Sequence, residues 1–228
     1  MKKKSVFFSE AAFFVGVLVL AFGGALMEKA DFGVSMVIAP AYLIHLKVSQ
    51  FLPFYSFGMS GYVFQAFLLG TLSLVLGRFK KHYLLSFATA VLYGLALDMF
   101  VWLLARFSLE GIAWRLALYC VGLPCCSLGV ALLFHTYLPP EAYEVVVKEL
   151  SQKYRWSIAK TKTAYDCCSC ALGIALSFAF FGFGVFVGVK WGTVVCALIN
   201  GWLIARIGGW LENSFDFRDA LPLRSKLN

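Results

Sequence analysis

Six apolar stretches of about twenty residues or more, joined by short charged links, leave this chain little choice of fold. A hydrocarbon layer about 30 Å thick takes about 20 helical residues to cross. Lipid offers no partner to backbone N–H and C=O groups, so each such segment must satisfy them internally as a helix. The stretches run from about Val6 to Met27, Tyr55 to Gly77, Tyr83 to Ala105, Trp114 to Leu138, Tyr165 to Val189 and Trp191 to Trp210. The last two are nearly fused and call for a very tight connection. Hydrophobic residues are 61% of the 228 positions and charged residues 14%, which is more apolar surface than one water-soluble core of this length needs. The expected fold is all-α: a polytopic membrane helix bundle of about six spans, forming one membrane domain over residues 1–228.

Charge sets the orientation. Alternating the six spans leaves Lys29, Lys47, Arg106, Arg115 and Lys190 on one face and the other fifteen of the twenty basic residues on the opposite face. Basic residues accumulate in short cytoplasmic loops, so both termini are expected inside. The opening Met1-Lys2-Lys3-Lys4 before an apolar run is similar to a signal peptide, and is expected to be retained as the first span. The net charge of +8 lies between apolar runs, without a groove-reading motif, so nucleic acid is not an expected partner. The bilayer is.

All seven cysteines fall within apolar stretches, which argues against a disulfide framework. Cys167, Cys168 and Cys170 lack the paired spacing and histidine partners of a zinc site, and the bland reading is small helix-packing thiols, with membrane thiol chemistry as a weaker one. His45, His82 and His135 are scattered near span ends and do not form a metal set. Neither a metal nor a cofactor is expected. The one substantial polar segment, Pro139 to Thr163, reads as a cytoplasmic amphipathic helix resting on the membrane surface or on the bundle.

Function in such a bundle is sought where polar or helix-breaking residues occur at membrane depth. After the first span, Asp31-Phe32-Gly33-Val34-Ser35 precedes an apolar run from Val37 to Leu46 that contains Pro40. Before the sixth comes Lys190-Trp191-Gly192-Thr193. The two match loosely, either as a degenerate internal repeat with a short re-entrant helix at 37–46, or as two tight external turns. Asp98, inside the third span, is either a proton or cation site or a structural ion pair or helix cap. Asp166 and Arg206 fall near the same cytoplasmic depth and are expected to pair, as a salt bridge or a gate. Asn200, beside Gly201, either contacts substrate or bonds a neighbouring helix. No nucleophile elbow, metalloprotease helix, phosphate-binding loop or paired-carboxylate cluster is encoded, so an enzyme is not expected.

Several short motifs carry a resemblance: Ala30-Asp31-Phe32-Gly33-Val34-Ser35, Tyr55-Ser56-Phe57-Gly58-Met59-Ser60-Gly61, Leu97-Asp98, Lys160-Thr161-Lys162-Thr163-Ala164-Tyr165-Asp166, and Gly188 to Val195 with Asn200-Gly201. Together they resemble the YczE/YitT group of bacterial multi-spanning proteins. The resemblance implies a cytoplasmic-membrane protein of five or six helices, and some members of that group are thought to be permeases for small, vitamin-like molecules. This chain departs from the pattern with Phe32-Gly33 and Trp191-Gly192, where smaller residues are the rule.

These readings lead to a secondary transporter or permease for a small polar metabolite. Asp98 would be the coupling acid, and Asp31, Gly33, Ser35, Gly192, Thr193 and Asn200 would line the pathway. The alternative is a non-transporting subunit or regulator. A homodimer would suit so small a bundle. The chain is expected to leave membranes only in detergent; a monodisperse peak in plain buffer on size-exclusion chromatography would overturn the membrane assignment.

Overall fold

The computed structural model describes residues 4–80, 82–107 and 111–221; Lys2, Lys3, Lys81, Arg224 and Lys226, counted above in the charge segregation, lie outside the described residues. The elements in chain order are β1 (Ser5–Phe8), α1 (Ser9–Ala30), α2 (Ala39–Val48), α3 (Phe57–Leu76), α4 (His82–Ala105), α5 (Ile112–Phe134), α6 (Ala142–Tyr154), α7 (Ile158–Phe181), α8 (Trp191–Ser214) and β2 (Phe215–Arg218). Six helices, all but α2 and α6, are long and apolar enough to cross a bilayer. The protein is an all-α polytopic bundle.

The strand before α1 pairs in parallel with the strand after α8, Ser5 opposite Phe215 through Phe8 opposite Arg218. That pairing holds the start of α1 and the end of α8 at one face, which an even number of crossings requires. The charge bias makes this the inner face. Because Ser5–Phe8 is used as a strand, α1 starts at Ser9 rather than Val6. At its far end Asp31 takes the left-handed conformation and stops the helix.

Two elements do not cross. Helix α2 has Pro40 in its first turn, where the missing N–H costs nothing. Its start lies beside the middle of α7, where Ala39 approaches Gly173. Its end lies at the outer end of α7, where the Lys47 ammonium donates to the Phe180 carbonyl. At about 1.5 Å per residue, its ten residues reach about 15 Å, half a bilayer. The run from 37 to 46 is therefore a re-entrant half-helix entered from the outer side.

Helix α6 is its counterpart from the inner side, and of the two expected placements, on the membrane surface or on the bundle, it takes the second. Ala142, Tyr143, Val145 and Val147 are each at most 2% exposed. Ser86 and Thr89, one and two turns into α4, donate to the carbonyls of Pro140 and Pro139. The Ala142 N–H donates to Gln65, midway along α3. At the other end Lys153 donates to the Val75 carbonyl at the inner end of α3, and Lys80 pairs with Glu149. The helix thus starts deep in the bundle and runs back out along α3.

The two halves of the chain repeat in inverted orientation, with α5 to α8 following the order of α1 to α4 from the opposite face. Packing obeys that relation: α1 on α4 as α5 on α8, α2 on α3 as α6 on α7, α2 on α7 as α6 on α3, and α3 on α4 as α7 on α8, while α1 packs on α5. Only α4 on α6 has no mirrored partner of comparable extent. Ser56 and Ser157 cap α3 and α7 in the same way, each side chain accepting from the backbone N–H three residues on.

The axis lies at the α1–α5 crossing. A β-carbon on Gly16 would meet Gly129, Leu132 and Leu133, and one on Gly122 would meet Gly23, Leu26 and Met27. The shift that carries Gly16 onto Gly122 turns the first set into the second. The repeat foreseen between Asp31–Ser35 and Lys190–Thr193 is a different pairing: these two segments do not occupy equivalent positions but touch each other.

Helix α7 ends at Phe181 rather than continuing to Val189, and residues 182–190 form an irregular link with Gly182, Gly184 and Gly188 at positive φ. The fifth and sixth spans are therefore well separated in the chain.

A β-carbon on Gly23 would sit within 2.8 Å of Cys126 and the Gly122 carbonyl, whereas Gly70 faces open space within 4 Å. Gly23→Leu is expected to destabilise the bundle by about 3 kcal/mol or more through overpacking, and Gly70→Leu to leave it unchanged. Equal thermal unfolding of the two variants in detergent would refute the close-packed axis.

Candidate functional site

The starts of α2 and α6 come together in the bundle. Ser35, Val37 and Ile38 ahead of α2, and Glu141, Tyr143 and Glu144 at the start of α6, line one narrow cavity with Tyr93, Lys162 and Asn200. Its free volume is about 30 Å³, enough for about one water molecule.

The chemistry there is dense for membrane depth. The Lys162 ammonium lies 3.1 Å from Glu144 Oε1 and 3.1 Å from Asp166 Oδ1, and all three side chains are at most 7% exposed. Glu144 Oε2 has no hydrogen-bond partner among the described residues. Glu141 accepts at 2.7 Å from the Gln65 amide, whose oxygen in turn accepts from the Ala142 N–H. Gln65 is fully buried. Two carboxyl groups therefore pair with one ammonium and a third, Glu141, lines the same cavity, in a place where an uncompensated charge is costly. The N-terminal ends of two half-helices add partial positive charge.

Asn200 belongs to this cavity, and its side-chain oxygen accepts from the Ser127 hydroxyl at 2.9 Å. Ser35 lies beside Cys196 and lines the same space. The expected Asp166–Arg206 pair is not formed: Asp166 pairs with Lys162 four residues earlier on its own helix, and Arg206 is exposed with its guanidinium over Trp202. Helical phase explains the difference, since it turns Lys162 and Asp166 inward together and Arg206 away from them.

Asp98 is also elsewhere. Its carboxylate accepts from the Ser56 hydroxyl at 2.5 Å and from the Gly58 N–H at 2.7 Å, so it anchors the outer start of α3. This is the cap reading, and the hydrogen bonds of Asp98 to Ser56 and Gly58 belong to it.

The two Gly-containing segments form the outer closure above the central cavity. Val34 N–H donates to the Gly188 carbonyl, Gly192 N–H to the Phe32 carbonyl, and the Thr193 hydroxyl to the Val34 carbonyl. Gly33 has φ 105°, and a side chain there would run into Thr193 and Lys190. Tyr119 secures the knot from α5 by donating to the Gly192 carbonyl. Outside it, Asp31 pairs with Lys190 at 2.5 Å and Arg115 at 2.9 Å. These three charges sit on the wall of a second cavity of about 440 Å³.

The sequence reading missed Glu141, Glu144, Lys162 and Gln65 as site residues. The signal was present in Pro139-Pro140-Glu141, where two prolines precede acidic residues and a Val-Val-Val run. Because the segment is polar on average, its pattern alone does not separate a helix on the membrane surface from one packed in the bundle.

A family model for a family of unknown function, DUF6198, matches residues 7–208. No curated protein and no solved structure matches the chain.

Lys162→Met would leave Glu144 and Asp166 buried without their counter-charge and is expected to cost about 3–5 kcal/mol. Arg206→Met is expected to cost under about 1 kcal/mol, as for an exposed cation–π contact. Thermal unfolding in detergent measures both, and the reverse order would restore Arg206 as the partner of Asp166.

Proposed function

The chain belongs to the DUF6198 family, whose function is unknown, and from its own geometry we propose a secondary transporter or permease for a small polar metabolite, set in a bacterial cytoplasmic membrane. The observation that carries the proposal is the meeting of two half-helices, entering from opposite faces, at a buried cluster of three acids and one base. Half-helices pointing their N-termini at a mid-membrane site within an inverted repeat are the architecture by which many secondary transporters hold solutes. A purely structural bundle gains nothing from placing Glu141, Glu144, Asp166 and Lys162 there, because the same volume filled by apolar side chains is as stable or more so.

In this reading the coupling role moves from Asp98 to the central cluster. The cluster has more carboxyl groups than cations, and the surplus is balanced by a proton or by a cationic group of the solute. When either leaves, the cluster repels itself and favours rearrangement, which is the electrostatic requirement for coupling. Ser35, Asn200 and Gln65 supply neutral hydrogen-bonding groups around it. The Phe32–Ser35 and Gly188–Thr193 knot closes the outer route, and the cavity of about one water describes an occluded state. The inverted repeat gives the exchange its form: each half-helix rests on a helix of the other half, so moving one half against the other opens one side as it closes the opposite one. The short motifs that resemble the YczE/YitT group agree with this reading.

The test is accumulation from a defined mixture of small metabolites into proteoliposomes, read by mass spectrometry against protein-free vesicles. The parent is expected to concentrate at least one solute, Asp98→Asn to retain that uptake, and Glu141→Gln to abolish its dependence on a pH gradient. Folded parent protein that imports and exports nothing beyond protein-free vesicles would favour the non-transporting subunit instead.

A further inference from the structure

The outer cavity has a chemistry of its own. At about 440 Å³ it falls in the size range of small-molecule sites. Its walls are Ile174, Val189 and Val194, with the rings of Phe32, Phe186 and Trp191, and its only charged lining groups are Asp31, Arg115 and Lys190. Two cations face one carboxylate. Lys190 is also the N-cap of α8, whose positive end offsets the carbonyl end of α1, where the Ala30 and Asp31 carbonyls accept from the same two cations, so the two-to-one count of side-chain charges stands. The Arg115 guanidinium lies 5.0 Å over the Phe32 ring, which fixes a flat donor edge beside an aromatic wall.

From this balance we propose that the outer cavity is a binding site for an organic monoanion: a carboxylate or phosphate-type head read by Lys190 and Arg115, with an apolar, preferably aromatic, body against Phe186 and Trp191. Asp31 is the internal competitor. It occupies both cations in the empty site, with Lys190 at 2.5 Å and Arg115 at 2.9 Å, and an incoming anion takes those donors in its place. Asp31 is 60% exposed at its side chain while each cation is 34% exposed, so the carboxylate can turn to solvent as the head group enters. Positioned directly outside the Gly33–Thr193 knot, the site is where a solute from the outer side would wait before that knot opens. This last step deepens the transport proposal and rests on it; the binding itself does not.

The same head-and-body chemistry belongs to a free solute and to an anionic lipid, and the experiment separates them. Purified protein in a maltoside detergent is titrated with phenylacetate, phenethyl alcohol and phenethylamine, which share a body and differ in head charge. Binding is read by tryptophan fluorescence and by thermal shift. The expected order is phenylacetate tightest, with Lys190→Met and Arg115→Gln each weakening it about tenfold. Asp31→Asn is expected to tighten phenylacetate severalfold, the opposite sign, and asparagine is accepted at the left-handed backbone position that Asp31 holds.

Repeating the titration in nanodiscs of phosphatidylcholine, with and without phosphatidylglycerol, identifies the source. Loss of phenylacetate binding only with phosphatidylglycerol assigns the site to an anionic lipid head and keeps the proposed chemistry. Phenethylamine binding as tightly as phenylacetate, no phenylacetate binding in detergent, or weaker binding in folded Asp31→Asn would overturn it. Binding in protein that fails the uptake assay would leave this site standing and remove the transport role alone.

Discussion

The contact on which the rest of the structure depends is the crossing of α1 and α5. Lipid tails are as apolar as leucine, so helices inside a bilayer gain little by hiding hydrophobic surface from one another and associate by close fit. Gly16 and Gly23 on one helix and Gly122 and Gly129 on the other remove the side chains that would hold the axes apart. Backbone then meets backbone, with leucines from each helix closing over the glycines of the other. Because the two pairs have the same spacing and meet in antiparallel sense, the contact is the same from either helix, and it fixes the symmetry of everything attached to it.

From that axis the half-helices follow. Helices long enough to cross leave no gap for a short one unless neighbouring helices make a lined recess. Here α3 and α7 each offer the half-helix of the other repeat a surface of small or hydrogen-bonding groups. Gly173 admits Ala39, and Gln65 accepts from Ala142. Each half-helix ends its backbone ladder inside the protein, where unsatisfied N–H groups are costly. Side chains and carbonyls of the surrounding segments must meet that demand. Polar residues were therefore required at the centre on structural grounds. What exceeds the structural need is the ionisation: Gln65 and the Glu141 carbonyl accept from N–H groups at the start of α6, while the side chains of Glu144, Asp166 and Lys162 add charges that none of these bonds requires.

The six crossings, their parity and the re-entrant run at 37–46 are legible in the sequence, because apolar length and charge segregation are properties of single segments and survive without knowledge of neighbours. The central site is not legible in that way. Asp98 stood out for its depth in an apolar helix, yet depth alone does not say whether a carboxylate faces a cavity or a neighbouring helix start, and Ser56 and Gly58 come to it from a segment forty residues away. Pro139 to Thr163 leaves two placements open, the membrane surface or the bundle, for a related reason. Its mean polarity matches a surface helix, but the alternation that matters places Ala142, Val145 and Val146 against Leu69, Leu72 and Tyr83, and those partners lie on α3 and α4. Asn200, Ser35 and Thr193 were found by their rarity at that depth, and the structure gives them different tasks: the first two face the cavity, and the third ties the outer knot.

The inverted repeat holds in the order and most of the packing of the helices and is unequal in its chemistry. The shift that places the Ser56 cap on the Ser157 cap also places Gln65 on Asp166, so equivalent points of α3 and α7 carry an amide in one half and an acid in the other. On the α3 side the amide donates to the Glu141 carboxyl and accepts from the Ala142 N–H, so it holds an acid of α6 without adding a charge of its own. On the α7 side the acid shares Lys162 with Glu144 and depends on the charge state of its surroundings. In the proposed transporter, a fully symmetric interior would hold a solute equally in both orientations but would have no group whose loading differs between them. Under the transport proposal, the inverted scaffold would supply two related states, and the asymmetry at 65 and 166 the means for an ion or solute to choose between them.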